Sequence, residues 1–139
     1  MSKTADVDLS SIWLFSACSS RELAKIRKAF SEVNVEAGRV LCQEGTAGTE
    51  FFVILSGTAE VIRSGKKVNT LGPGQFFGEL ALLDHRPRTA TVRAKTDMVL
   101  LVLSQREFHG ILAEVPTLTK KLLQALAGRL RAADAKAFH

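Results

Sequence analysis

The sequence has little to offer several kinds of chemistry. Its 139 residues include two cysteines, Cys18 and Cys42. They form no C-x-x-C pair, and two thiols build no disulfide framework. They read as reduced thiols of a cytosolic protein, and as buried structural groups, because neither has an evident base partner to make it a nucleophile. The three histidines, His85, His109 and His139, include no two at metal-ligand spacing, which argues against a metal-dependent β-barrel enzyme with clustered His and carboxylate ligands. No G-x-x-x-x-G-K-[ST] loop and no dinucleotide fingerprint occur. The longest apolar run, Met98 to Leu103, is far short of the roughly 20 residues that cross a bilayer and reads as a buried strand. The opening MSKTADVDLSS is polar and lacks the apolar stretch of a signal peptide. Internal repeats and low-complexity linkers are also missing. These absences point away from an enzyme, from a secreted protein and from a transmembrane segment.

What is present suits a globular module. Hydrophobic residues make up 46% and charged residues 24%, an ordinary balance for a folded domain. The length fits a single domain, residues 1–139, with a core that needs no disulfide staples. The net charge of +5 suits an acidic partner such as nucleic acid, anionic lipid or a phosphorylated small molecule, or equally an unevenly charged solvated surface.

Three zones follow one another. In residues 1–31, Ile12, Trp13, Leu14 and Phe15 form an apolar cluster expected to pack on the core. A helix is expected from Ser19 or Ser20, either of which can cap its first turn; Leu23, Ile26, Ala29 and Phe30 share one face. In residues 32–103, glycines punctuate short β-forming runs at Val33–Val35, Val40–Cys42, Phe51–Leu55, Ala59–Ile62, Lys67–Leu71, Ala90–Val92 and Val99–Leu103. Short strands with regular turn signals predict a β-sandwich or barrel, with Ser64-Gly65 as the clearest hairpin turn. In residues 104–139, Ser104 and Glu107 stand at capping-box spacing. That helix is expected to stop near Val115, before Pro116, and a final helix to start at Pro116. Leu118, Leu122, Leu126 and Leu130 line one side of it with Leu123 beside them, and Lys120, Lys121, Arg129, Arg131 and Lys136 make it basic. The leucine stripe suits packing on the β-structure, a lid, or a homodimer seam.

The stretch from Gly72 to Val92, GPGQFFGELALLDHRPRTATV, carries the chemistry. Gly72, Gly74 and Gly78 lie close together ahead of Glu79. Glycine lets backbone N–H groups come close to a ligand, and a short helical turn beginning near Glu79 would aim its free N–H groups at an anion. Arg88 offers a planar fork suited to two phosphate oxygens. An ionised Glu79 only accepts hydrogen bonds, so it suits a sugar hydroxyl. Pro87 restricts the backbone before Arg88. The competing reading is a surface turn with a Glu–Arg salt bridge of little worth, and His85 reads as a solvated loop residue.

Residues Phe77 to Ala90, F-G-E-L-A-L-L-x-x-x-P-R-T-A, resemble the phosphate-binding cassette of the cyclic nucleotide-binding domain family. A second stretch, Leu41 to Gly57, matches a further signature of that family through Gly45, Gly48, Gly57 and the apolar run Phe51 to Ile54. The resemblance covers nearly the whole chain. It implies an eight-stranded antiparallel β-roll (jelly roll) within an α+β, mainly β, fold, with N-terminal helices and C-terminal hinge and lid helices. It implies that Arg88 pairs with the cyclic phosphate and that Glu79 binds the ribose 2′-OH. It also implies that the backbone of Gly78, Leu80 and Ala81 closes around the sugar-phosphate, followed by Thr89 and Ala90 after the arginine. The ligand it implies is cAMP in first place, with cGMP open because Thr89 can bond a guanine amino group. Leu122, Leu123, Leu126, Arg129 and Leu130 are candidates to cover the base. The function implied is a non-catalytic, cytoplasmic sensor, with no metal, that acts through its C-terminal helices on an effector protein or a fused output domain. Two rivals stand beside it. A DNA-binding regulator would need a helix-turn-helix after the long last helix, and the chain ends at His139 without room for one, so no specific nucleic-acid partner is expected. A degenerate domain of the same fold would serve as a protein-interaction module without nucleotide.

Overall fold

A computed structural model describes residues 8–137, with side chains to residue 133. Lys136 and His139, singled out above, lie outside the described side chains. Eight strands are present: β1 Ser31–Val35, β2 Val40–Cys42, β3 Glu50–Ser56, β4 Ala59–Arg63, β5 Lys66–Leu71, β6 Phe76–Phe77, β7 Thr91–Ala94 and β8 Met98–Ser104. They form two four-stranded antiparallel sheets in the orders β1-β8-β3-β6 and β2-β7-β4-β5. Helices flank the roll: α1 Ser20–Ala29 before it, α2 Glu79–Asp84 between β6 and β7, and α3 Gln105–Glu114 and α4 Pro116–Ala137 after it. Two short 3-10 turns, Leu9–Ser11 and Trp13–Phe15, precede α1. This is the mainly antiparallel two-sheet roll with helices that the sequence implied.

The central strands of the first sheet are buried on both faces, which is why β3 and β8 are almost continuously apolar. Successive side chains of a strand point to opposite sides. Phe52, Ile54 and Phe77 therefore join the core between the sheets, with Leu100 and Val102 from β8. Phe51, Val53 and Phe76 face the helices instead, in a second core with Leu14, Phe15, Ile26, Phe108, Ile111 and Leu118. The Phe51 ring lies 4.9 Å from that of Phe108 and 5.8 Å from that of Phe76. One phenylalanine thus ties the roll to α3. The second sheet has only one covered face, and its edge strand β5 is exposed until Leu71.

Local signals set the helix ends. Ser19 and Ser104 accept from the backbone of Glu22 and Glu107, whose carboxylates return the bond to the cap N–H. Removing such a cap costs about 1 kcal/mol. Pro116 has no N–H and opens α4, while the Val115 N–H still bonds Ile111 O at 2.8 Å. The β4–β5 hairpin turns at Ser64 and Gly65, with φ 52° and 78°, the two positive values a type I′ turn requires.

Three expectations needed correction, and one strand went unread. Trp13 does not pack into the core; it is 49% exposed, with the Lys121 ammonium 4.3 Å from its ring centre. Of the α4 stripe, Leu118 and Leu122 are buried, whereas Leu123 and Leu130 are exposed, because α4 runs past the edge of the core. The strand expected from Ala90 begins at Thr91. The two-residue β6 escaped the sequence reading altogether, since only its pairing of Phe76 and Phe77 with Val53 and Phe52 defines it.

Candidate functional site

Between α2 and the inner, core-facing side of the second sheet lies a cavity of about 360 Å³, within the range of small-ligand sites. Gly78, Glu79, Leu80, Ala81, Arg88, Thr89 and Ala90 all line it, so the fold brings every sequence-predicted site residue to one place. Gly78 turns the chain from β6 into α2 with φ 95°. That left-handed conformation is costly for any residue with a Cβ, and a Cβ there would lie 2.8 Å from both Glu50 O and Arg88 Nη1. The N–H groups of the first turn of α2 have no acceptor within the helix, and the residues carrying them, Glu79 to Ala81, line the cavity.

Arg88 is only 9% exposed. Its Nη1 and Nη2 donate to Gly78 O and Glu50 O, each at 2.8 Å. Its backbone is clamped as well, N–H to Thr46 O at 2.8 Å and C=O from Gly45 N–H at 2.9 Å. Among the described residues it has no carboxylate partner. A buried cation held only by neutral carbonyls is poorly compensated, and Arg88 also lines the cavity. Such a guanidinium can receive an anion.

Glu79 is 3% exposed and is not paired with Arg88. Its Oε1 takes Nη1 of Arg129 on α4, whose guanidinium lies 5.0 Å from the centre of the Phe76 ring. Arg129 was one of several candidates for a covering residue, and it is the one that lines the cavity. Gly72 and Gly74 are not part of the cradle: a side chain on either would meet open space, and both serve the β5–β6 turn, where Gly74 N–H bonds Ile54 O. The second cradle glycine is Gly48. A Cβ there would lie 2.5 Å from Ala81 Cβ and 2.9 Å from Arg88 Cζ.

The far wall comes from residues that the sequence did not single out. Val61, Arg63, Asn69 and Leu71 line it from β4 and β5, and Cys42 and Val92 from β2 and β7. Arg63 Nε donates to Thr89 O at 3.2 Å, joining this wall to the end of the cassette. Burial pushes the Cys42 thiol up to about 11, so it stays protonated and neutral at ordinary pH. The alternation of β4 and β5 was the available signal for the wall, but it names a face without saying what that face covers.

One pocket thus joins a buried guanidinium without a carboxylate partner, a buried carboxylate and a chamber walled by both apolar and polar side chains, with a β-roll around it and helices on both sides. That combination suits a small anionic molecule that also carries hydroxyl groups. Comparison with known proteins gives the family. The profile described as "Cyclic nucleotide-binding domain" matches residues 32–115, more than half of the chain. The chain belongs to the cyclic nucleotide-binding domain family. It is 36% identical over 115 residues to a cAMP-dependent protein kinase regulatory subunit of Emericella nidulans, covering 81% of this chain and 28% of that protein. It is 32% identical over 125 residues to a cGMP-dependent protein kinase of Toxoplasma gondii, covering 90% of this chain and 12% of that protein. The structure of the Thermus thermophilus catabolite activator protein superposes with a TM-score of 0.84 at 28% identity, covering 90% of this chain and 61% of that one. The chain therefore spans less than a third of the two curated relatives. No helix among the described residues is long and apolar enough to cross a membrane.

Proposed function

We propose that this chain is a non-catalytic, cytoplasmic sensor that binds a cyclic nucleotide and passes the event to its C-terminal helices. Arg88 pairs with the cyclic phosphate, and Glu79 accepts from the ribose 2′-OH. The backbone at Gly78, Leu80 and Ala81 surrounds the sugar-phosphate, and Thr89 and Ala90 continue the wall. The observation that carries this reading is the buried Arg88 guanidinium, fixed by two carbonyl oxygens and facing a cavity without a carboxylate of its own.

The base is adenine in first place. The name of the fungal relative supports cAMP, while that of the Toxoplasma relative and the exposed Thr89 hydroxyl keep cGMP as a second ligand. Relay runs through Arg129. A ribose arriving at Glu79 meets the same carboxylate that holds α4, so ligand and helix compete for or share one acceptor. A ligand shifts an equilibrium only by binding one arrangement better, and this contact supplies the difference. The output is an effector protein, such as a kinase catalytic subunit, or a domain fused in the same polypeptide. The whole of residues 1–139 acts as one domain in this reading.

The Glu79–Arg129 pair also favours a second reading, in which the pocket is permanently closed and the fold serves protein contacts alone. Thermal melts with cAMP, cGMP, 5′-AMP and no ligand separate the two. A specific ligand at 100 times its Kd adds about 2.7 kcal/mol, and 5′-AMP, with an open and more highly charged phosphate, adds less. Identical melting in all four samples would leave the closed-pocket reading standing.

A further inference from the structure

Spacing along the chain keeps the histidines apart, but the fold does not. His85 closes α2 within the cassette, and His109 lies on α3. Their ring centres are 6.2 Å apart, with 38° between the ring planes. His85 is in the left-handed region, φ 57°, one of two non-glycine residues with positive φ among those described. His109 follows the buried Phe108 and meets that ring edge-on at 5.8 Å. Both histidines are exposed, and neither ring has a hydrogen-bond or ion-pair partner among the described residues. Neither lines the nucleotide cavity.

We propose that His85 and His109 together form a binding site for a borderline transition-metal ion, Zn²⁺, Ni²⁺ or Cu²⁺, which bridges the cassette to α3. Neutral imidazole is a favoured ligand of these ions. With metal–nitrogen distances of about 2.0–2.1 Å in a tetrahedral site, two ring centres stand about 5 Å apart. The observed separation exceeds that value by about 1 Å, and turning the two exposed side chains is the adjustment that the site requires. No group of three or more His, Cys, Asp or Glu donors is assembled among the described residues, so water completes the coordination shell. Binding is accordingly reversible by a chelator. The ion fastens the two elements that border the ligand-responsive part of the fold, at a point where it touches neither Arg88 nor Glu79.

The test uses the untagged chain without nucleotide, so its outcome is independent of the function proposed above. Melting is followed with Ni²⁺ or Zn²⁺ and again after EDTA. The parent should gain several degrees with metal and lose them with chelator. His85→Asn keeps a residue that tolerates the left-handed backbone and should abolish the gain, as should His109→Gln; His139→Gln should retain it. No gain in the parent, or a gain that survives in either of the first two variants, overturns the bridge. A measurement that needs no variant is NMR with substoichiometric Cu²⁺. Broadening the ring signals of His85 and His109 together supports the site, and broadening of one without the other rejects it.

Discussion

The carboxylate of Glu79, deep in the cassette, is held by Arg129 on the long last helix, although the two residues belong to elements separated by two strands and a third helix. The contact joins the proposed sugar-binding group directly to the part of the molecule best placed to report on it. Arg129 is half exposed, so water screens much of the attraction. Arg129→Gln should therefore cost the ligand-free chain only about 1 kcal/mol, read as a small fall in melting temperature. Its calorimetric cAMP dissociation constant should not rise. Weaker binding would mean that Arg129 serves the ligand rather than holding the helix.

Arg88 is the stronger test of the site. Arg88→Lys keeps the charge but loses the planar fork that is anchored on Gly78 O and Glu50 O. Binding should weaken by about 1–3 kcal/mol. Glu79→Ala should cost a similar amount. Titration calorimetry at fixed salt measures both, and parental affinity in both would remove these residues from the site.

Gly48 makes a prediction that charge does not. A methyl group there would press on Ala81 Cβ and on the Arg88 guanidinium carbon. Overpacking of this kind costs about 1–3 kcal/mol, and here the group that must yield is the anion ligand itself. Gly48→Ala should thus lower nucleotide affinity about fivefold or more while the strands stay folded. Far-ultraviolet circular dichroism alongside calorimetry distinguishes loss of site from loss of fold.

Cys42 sets a limit on the alkaline side. Its folded thiol is pushed up to about 11 from an ordinary value of 9.0, chiefly by burial. The unfolded chain loses that proton first, so this contribution to stability is complete below about pH 9 and falls away as pH rises towards 11. Urea melts between pH 8 and about pH 11 should show a decline that Cys42→Val reduces. The same burial predicts that iodoacetamide leaves Cys42 unmodified at neutral pH; rapid labelling would contradict it.

What the sequence disclosed and what it hid divide by range. Helix limits were legible because they are local: a serine cap at Ser19 or Ser20, Ser104 with Glu107, and Pro116 act within a turn of themselves. The Ser64-Gly65 hairpin was legible for the same reason. The cassette was legible because Glu79, Arg88 and the residues between them sit on one short segment. β6 was not, because two residues become a strand only beside β3. Trp13 looked like core because hydrophobicity along a chain does not say which side chain faces outward. Gly48 was visible as part of a signature, but its place beneath Arg88 depends on how β3 lies against α2. The Arg129–Glu79 pair and the His85–His109 approach come from packing of distant elements, which spacing does not encode.

The pairing of β1 with β8 has a consequence for any longer polypeptide that carries this fold. Ser31 lies opposite Val102 and Val35 opposite Met98, so the thread goes into the roll beside the place where it comes out. The flanking helices then pile onto that same pole. Entering and leaving segments of the roll are thus neighbours, and a shift of the helices after β8 bears on the segment that precedes β1.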